Sequence, residues 1–365
     1  GQKKLAELFH LGKGVDQDLE KAGYWYQQAA EQGEENAQCS LGLMYQRGEG
    51  LERDLDQAEY WYLQAAEQGL DQAFVNLGFL YNGDEEAKRD IQKAAYWFNQ
   101  AAEQGNAMAQ FNLAAIYLDN GEGPEGLAEA TKWFTASAEN GNVRAQLHLG
   151  QIYEGGRGGS PNAEQALHWY QMAADHGSSD AQCNLGVVYI SGQIVEQDFS
   201  EGLRWLQKAI DQNNLYAITA LGELFEGGLG VPQDNSQAVH WFQTAADQGF
   251  SQAQYKLGAM YNNGAGVDQS NTQALAWLQK SADQGHPIAQ YDVGVIHYHG
   301  RSVPQDYHEA MRWYRLSAEQ GCADAQNNLG MIFHSRLGVE RDDATALHWY
   351  SLAAEQEFAG AQYNM

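Results

Sequence analysis

Pairs of glycines one residue apart recur along the chain, at Gly12/Gly14, Gly48/Gly50, Gly156/Gly158, Gly228/Gly230 and Gly264/Gly266. Glycine turns of this kind can lay backbone amides against a phosphate when they join a strand to a helix. Here they follow helical stretches, have acids nearby and no Gly-Lys-Ser or Gly-Lys-Thr sequence although Lys13 lies inside the first pair, and return at a fixed interval. They are therefore expected to be turns that need positive φ. His297 and His299, with His286 nearby, form the only local histidine cluster. An i, i+2 pair points to different sides of a helix and no cysteine or carboxylate stands at ligand spacing. His297 also occupies a place held by tyrosine elsewhere, so a packed histidine is expected rather than a metal ligand. A row of acids, Glu31, Glu67, Glu103, Glu139, Asp175, Asp211, Asp247, Asp283, Glu319 and Glu355, falls near helix ends where the macrodipole disfavours negative charge. It reads as a solvated face, with a functional acidic ridge as the alternative. No Gly-x-Ser-x-Gly elbow, His-Glu-x-x-His helix or Cys-x-x-Cys pair occurs. No catalytic group, cofactor or metal is expected, and the chain does not read as an enzyme.

The elements that carry these residues follow from one period. The ten tryptophans fall at Trp25, Trp61, Trp97, Trp133, Trp169, Trp205, Trp241, Trp277, Trp313 and Trp349, each 36 residues after the last. A second series runs Ala37, Ala73, Ala109, Ala145, Ala181, Ala217, Ala253, Ala289, Ala325 and Ala361, and around it the sequence reads Ala-x-x-x-Leu-Gly-x-x-Tyr, as in Leu41, Gly42 and Tyr45. Those spacings share one helical face, which predicts a helix A over Asn36 to Arg47. Ala58, Trp61, Tyr62, Ala65 and Ala66 define a second amphipathic helix, helix B, from about Leu55 to Gln68.

Helix B is punctuated at both ends. Asp18, Asp54, Asp90, Gly126, Asn162, Asp198, Asp234, Ser270, Asp306 and Asp342 precede its copies as N-caps. Gly33, Gly69, Gly105, Gly141, Gly177, Gly249, Gly285 and Gly321 follow them, with Asn213 as a substitute tolerant of the left-handed region and Glu357 as the one break in the rule. Neither helix can bury its aromatics alone, so stacked neighbours must supply the other wall. The tryptophans are expected in that interlocked core. The fold expected is all-α: a right-handed α/α superhelical solenoid of about ten 36-residue helix-turn-helix repeats, a single array over residues 1–365. Leu5 and Phe9 sit in a partial helix A, and Ala361 to Met365 begin an eleventh, so the expectation is a piece of a longer array.

Composition narrows the partners. Acids outnumber bases 48 to 21, a formal charge of −27. That charge repels phosphate backbones and anionic headgroups, so no nucleic acid is expected. No apolar run reaches the ~20 residues of a membrane span, so no direct insertion is expected either. Cys39, Cys183 and Cys322 are too scattered for a disulfide framework and read as free thiols.

The repeat resembles the Sel-like repeat family, bacterial relatives of tetratricopeptide repeats. Ala-Gln-x-x-Leu-Gly, Gly-x-Gly-Val and Ala-x-x-Trp-Tyr-x-x-Ala-Ala-Glu-Gln-Gly carry the likeness, shown by Ala253 to Gly258, Gly264 to Val267 and Ala238 to Gly249 with Phe242 at the Tyr place and Asp247 at the Glu place. The resemblance implies helices A lining a concave surface that binds other proteins, and a periplasmic or secreted address over a cytoplasmic one. Members with a disulfide in each repeat form a subgroup whose cysteine pairs are absent here.

If the repeated positions are structural, partners must meet the variable ones: one residue before the series alanine, and two, six and nine after it. The resulting expectation is a non-catalytic scaffold that binds a protein or peptide, basic or extended, around Tyr216, Glu223, Glu226, Tyr255, Tyr291 and Tyr298. Phe79 and Phe111 lie at the same positions in the more apolar N-terminal half. The copy from Ile194 to Ala220 departs most from the pattern, through a change of curvature or a binding site. A secreted host-protein-binding factor or adhesin is the second reading, and a cell-wall-directed hydrolase a distant third.

Overall fold

The computed structural model describes residues 1–83, 88–120, 123–156 and 161–364, and all regular structure among them is helical. The chain divides into two compact units, residues 1–181 and 182–365. The first holds α1 (Gln2–Leu11), α2 (Leu19–Ala30), α3 (Glu35–Arg47), α4 (Leu55–Glu67), α5 (Asp71–Asn82), α6 (Ile91–Glu103), α7 (Ala107–Asn120), α8 (Gly123–Glu139), α9 (Val143–Glu154) and α10 (Ala163–Asp175). The boundary falls within α11 (Ser179–Ser191). The second continues with α12 (Phe199–Asp211), α13 (Leu215–Gly227), α14 (Asn235–Ala246), α15 (Ser251–Asn263), α16 (Asn271–Asp283), α17 (Pro287–His299), α18 (Tyr307–Glu319), α19 (Ala323–Ser335), α20 (Asp343–Glu355) and α21 (Ala359–Asn364). Odd helices are copies of helix A and even ones of helix B.

The caps explain why the elements begin and end where they do. Asp54 accepts from the amides of Asp56 and Gln57, and Asp18, Asp90, Asn162, Asp198, Asp234, Ser270, Asp306 and Asp342 cap their helices in the same way. Gly126 is the exception. It lies buried inside α8, which starts three residues earlier because Pro124 suits a first helical turn. At the other end, the amide of Gly69 bonds to Ala66 O and that of Leu70 to Ala65 O, the paired bonds of a Schellman stop. Asn213 takes φ 59° as expected, and Glu357 takes φ 61° although it lacks the usual glycine. The backbone hydrogen bonds of the turn thus outweigh the steric cost of a Cβ in the left-handed region. The glycine pairs adopt positive φ wherever they are described; Gly158 lies outside the described residues.

Two devices lock the helices together. Most copies of helix A, all but α1 with Ala6 and α7 with Ala114 among those that reach this position, bring a glycine against the residue after the tryptophan on helix B: a Cβ on Gly42 would lie 2.7 Å from the Tyr62 ring and 3.2 Å from Ala58 O. The second device is the buried glutamine of the Ala-Gln pair. Gln38 donates to Ala30 O of the preceding repeat and accepts from Gln68 of its own. Gln254 and Gln290 repeat this with Ala246 and Gln284, and with Ala282 and Gln320. A buried amide with both ends satisfied fixes the stacking register, because a shift would strand it without partners.

The tryptophans are not the deepest side chains. Trp169, Trp205, Trp277 and Trp313 are buried, but the other six are only partly so. The fully enclosed position is the next one, held by Tyr62, Phe98, Phe134, Tyr170, Leu206, Phe242 or Tyr314. Tryptophan is too large to close over completely at the seam between repeats, whereas its neighbour drops onto the helix A glycine.

Candidate partner-binding groove

In each unit the odd helices line up their variable residues, and grooves open between successive ones. In the first unit a cavity of about 390 Å³ lies over α1, α3 and α5, with Asn36, Cys39, Leu43 and Gln72 among its walls. In the second a cavity of about 460 Å³ lies over α11, α13 and α15, walled by Cys183, Val187, Tyr216, Thr219, Glu223 and Phe250. The two occupy equivalent places in the repeat, Asn36 corresponding to Tyr216, Cys39 to Thr219 and Leu43 to Glu223. Residues one before and two and six after the series alanine line both, as expected from the sequence. The position three after, Ser40 and Asn76 in one and Asn184 and Ala220 in the other, was missed, as was the turn residue Leu70 or Phe250. The helical period does place the third position beside the second and sixth, so that signal was available.

The eight expected residues fare differently. Tyr216 is 66% exposed and meets Phe250 edge to face at 4.7 Å, so an aromatic pair stands open at the groove. Glu223 and Glu226 lie together, yet both bind Lys256 of α15, at 3.0 Å and 3.4 Å. Burial alone would lower the Lys256 ammonium, but these two carboxylates outweigh it and hold it above the ordinary lysine range. The acids expected to meet a basic segment are therefore already half neutralised from within.

Tyr255 stacks on His286 at 4.8 Å, and Tyr291 packs against Tyr314 at 5.8 Å. Tyr298 meets Tyr307 edge to face at 5.3 Å. All three are half-buried, and burial pushes their hydroxyls above the ordinary tyrosine range. They form walls rather than free anchors. In the first unit Phe79 is exposed, with its edge on Phe98. Phe111 is only 6% exposed, enclosed by Phe134 and His148 with the Arg144 guanidinium over its ring. It is a core residue and offers a partner almost no surface.

Further along, a cavity of about 220 Å³ opens between α15 and α17, walled by Tyr255, Ala259, Asn262, Leu278, Asp292 and Arg301 among others. Burial, with a smaller contribution from Asp324, pushes the Asp292 carboxyl up to about 6. This residue gave no signal in the sequence, where it was one acid among 48.

The other chemistry raised by the sequence is placed as follows. The row of acids at the ends of helices B faces solvent, and several accept from an amide one turn earlier: Gln27 to Glu31, Asn99 to Glu103, Gln171 to Asp175, Gln243 to Asp247. His297 is half-buried. Among the described residues no three His, Cys, Asp or Glu side chains are grouped to hold a metal ion, and no helix is long and apolar enough to cross a membrane.

Stacked helix pairs with grooves on the helix A side define an α/α solenoid of repeats. Its two locking devices, the helix A glycine and the buried glutamine, recur in most motif copies, Ala6 and Ala114 replacing the glycine and Phe74 and Ile218 the glutamine. The chain belongs to the Sel1 repeat family, whose model matches ten times, at residues 1–34, 36–70, 75–106, 107–142, 143–178, 179–214, 215–250, 251–286, 287–322 and 323–358. Proteins built of these repeats mediate protein–protein interaction, generally as non-catalytic scaffolds. Among solved structures, the chain is similar to a protective antigen present in uropathogenic Escherichia coli strains that displays the same repeat fold, with 32% identity and a TM-score of 0.67 over 100% of this chain and 86% of that one. It is also similar to a Sel1 repeat protein from Oxalobacter formigenes, with 32% identity and a TM-score of 0.59 over 83% of this chain and 88% of that one. A search of curated protein sequences finds no match.

Proposed function

We propose that this chain is a scaffold that holds an extended, partly basic segment of another protein in the helix A groove of residues 182–365, around Tyr216, Glu223, Glu226, Tyr255, Tyr291 and Tyr298. The observation that carries the reading is the cavity of about 460 Å³ where the exposed Tyr216 ring meets half-buried Phe250, with Cys183, Val187, Ala220 and Glu223 among its walls. Exposed aromatics beside a desolvated apolar surface and a ring of polar groups have the composition of binding hot spots. The trio of Glu223, Glu226 and Lys256 keeps one net negative charge, which suits a segment with basic residues without demanding a highly charged one.

The test is selection from a random peptide library on the full chain. The peptides recovered should compete with one another, and Tyr216→Ala combined with Tyr255→Ala should weaken them about tenfold or more. Peptides that bind the double variant as well as the parent would remove the groove from consideration.

A second reading, a secreted or surface-exposed protein that engages a host protein, is supported by the 32% identity to the protective antigen of uropathogenic strains. Fractionation of the source cell, with the protein in the medium or envelope, supports it, and strict retention in the cytosol counts against it.

A further inference from the structure

Lys256 and Asp292 hold the same place in successive repeats, three residues after the series alanines Ala253 and Ala289. At Lys256 the helix before it provides the counter-charges, Glu223 and Glu226, six and nine residues after Ala217. Moved one repeat on, those two positions are Ala259 and Asn262. Neither can neutralise a carboxylate, and Asp292 makes no hydrogen bond or ion pair among the described residues.

The same substitution makes room. Leu43, Phe79, Gln151, Val187, Glu223, Val295 and Met331 fill the position where Ala259 stands, and Ala115 is the one other alanine there. With only a methyl group there, a space of about 220 Å³ remains between α15 and α17, floored by Leu278 and Ile296 and walled by Tyr255 and Asn262. A side chain of lysine or arginine fits that volume. Its methylenes would lie along Tyr255, Leu278 and Val295 while its head group reaches Asp292. The nearby charged groups are Asp324 on α19, which adds negative potential, and Arg301 in the turn after α17, an exposed residue that also lines the cavity and makes no ion pair to Asp292. Tyr255, Tyr291, Tyr314 and His286 are the further titratable groups around it. Burial holds the His286 imidazole below the ordinary histidine range, so it brings no charge near neutral pH.

We propose that the cavity beside Asp292 is a receptor for a lysine or arginine side chain of the bound protein segment, whose cation takes the place that Lys256 fills for Glu223 and Glu226 one repeat earlier. This rests on the groove reading for the partner's being a protein, but the cavity can be probed without one. Binding weakens as pH falls through about 6, where the carboxyl takes up a proton.

The experiment follows methyl resonances of Val295, Ile296 and Leu278 in the full chain during titration with Nα-acetyl-lysine methylamide, its arginine counterpart and, as the uncharged control, its norleucine counterpart. Saturable shifts are expected with the two cations at pH 7.5, at least tenfold weaker at pH 5 and at least tenfold weaker in Asp292→Asn. The isosteric amide removes a desolvated charge, so that variant should fold. Ala259→Leu, which restores the filling found in other repeats, should abolish the response with Asp292 in place. Shifts of equal size with norleucine, or a lysine response indifferent to Asp292→Asn, overturn the assignment. So does an Arg301→Ala variant that binds lysine several-fold more tightly, since the chain's own arginine would then be the occupant. Loss of library peptides with the lysine response intact would sink the groove reading alone, and the converse result would sink only this inference.

Discussion

Replacing Gly78 with alanine tests the packing rule that holds each repeat together. In an exposed helix the change stabilises by about 1 kcal/mol, because alanine loses less backbone entropy. At Gly78 the new Cβ would lie 2.5 Å from both Cδ1 and Cε1 of Phe98 and 2.8 Å from Cγ. Comfortable carbon contacts begin near ~3.5 Å, so the ring or the helix must retreat by about 1 Å. Phe98 is fully buried and has Phe79 against it, so its ring has no empty space to enter. Overpacking of this kind costs about 1–3 kcal/mol, and in this rigid setting the upper part of the range applies, leaving a net loss of about 1–2 kcal/mol. The position is not closed to alanine everywhere. Ala114 fills it on α7, opposite Phe134, in the repeat where α8 has the earlier start and the buried Gly126. Gly227→Ala is the control: it lies exposed on the last turn of α13, where a Cβ meets only the side chain of exposed Leu229 at 3.3 Å, and it should gain stability. Urea unfolding followed by circular dichroism, with hydrogen exchange in α5 and α6 to localise the effect, reads both variants. A Gly78→Ala protein as stable as the parent or more so would refute the close-approach argument for every repeat.

Phe242→Ala should cost about 3–4 kcal/mol and Trp241→Ala clearly less, about 1–2 kcal/mol, because Phe242 is fully buried while Trp241 keeps part of its surface in water; thermal or urea unfolding that ranks them the other way would refute the assignment of the deepest position. Asp292→Asn should stabilise the chain near pH 7 by about 1–3 kcal/mol. The folded carboxyl titrates at about 6 and an unfolded aspartate near ~3.9, so the folded state binds the proton more tightly. The destabilisation is thus fully present above pH 6 and disappears as pH falls below about 4. The difference between variant and parent should shrink over that window, and a difference independent of pH would show that Asp292 is not desolvated.

The repeat, its helices and most of its caps were legible in the sequence, because they depend on local chemistry restated ten times. An aspartate before an amphipathic run and a glycine after it mark helix B without reference to any distant residue. The departures arose where residue type and local geometry part. Glu357 enters the left-handed region because bonds from its own turn to Ala353 and Ala354 hold it there, and Gly126 is helical because the chain before it, with Pro124, starts the helix early. The tryptophans pack in the core as expected, but their depth relative to the next residue was not legible. Periodicity says which face of a helix is apolar, but which of two adjacent aromatics is sealed depends on the glycine opposite.

The candidate groove divides in the same way. Its positions followed from the helical period, since residues one before and two and six after each series alanine must share a face, and both large cavities use them. What those positions do depended on side chains more than 20 residues away. Phe111 became core because Phe134 and His148 close over it, and Glu223 and Glu226 lost their free charge to Lys256. Asp292 became the exposed question of the site through an alanine on the neighbouring helix. A single sequence with strong periodicity determined the unit and its faces, for those are set by near neighbours along the chain. Only the tertiary structure decided which charges are neutralised and which cavities stay open, because burial and electrostatic pairing are properties of what stacks beside a residue.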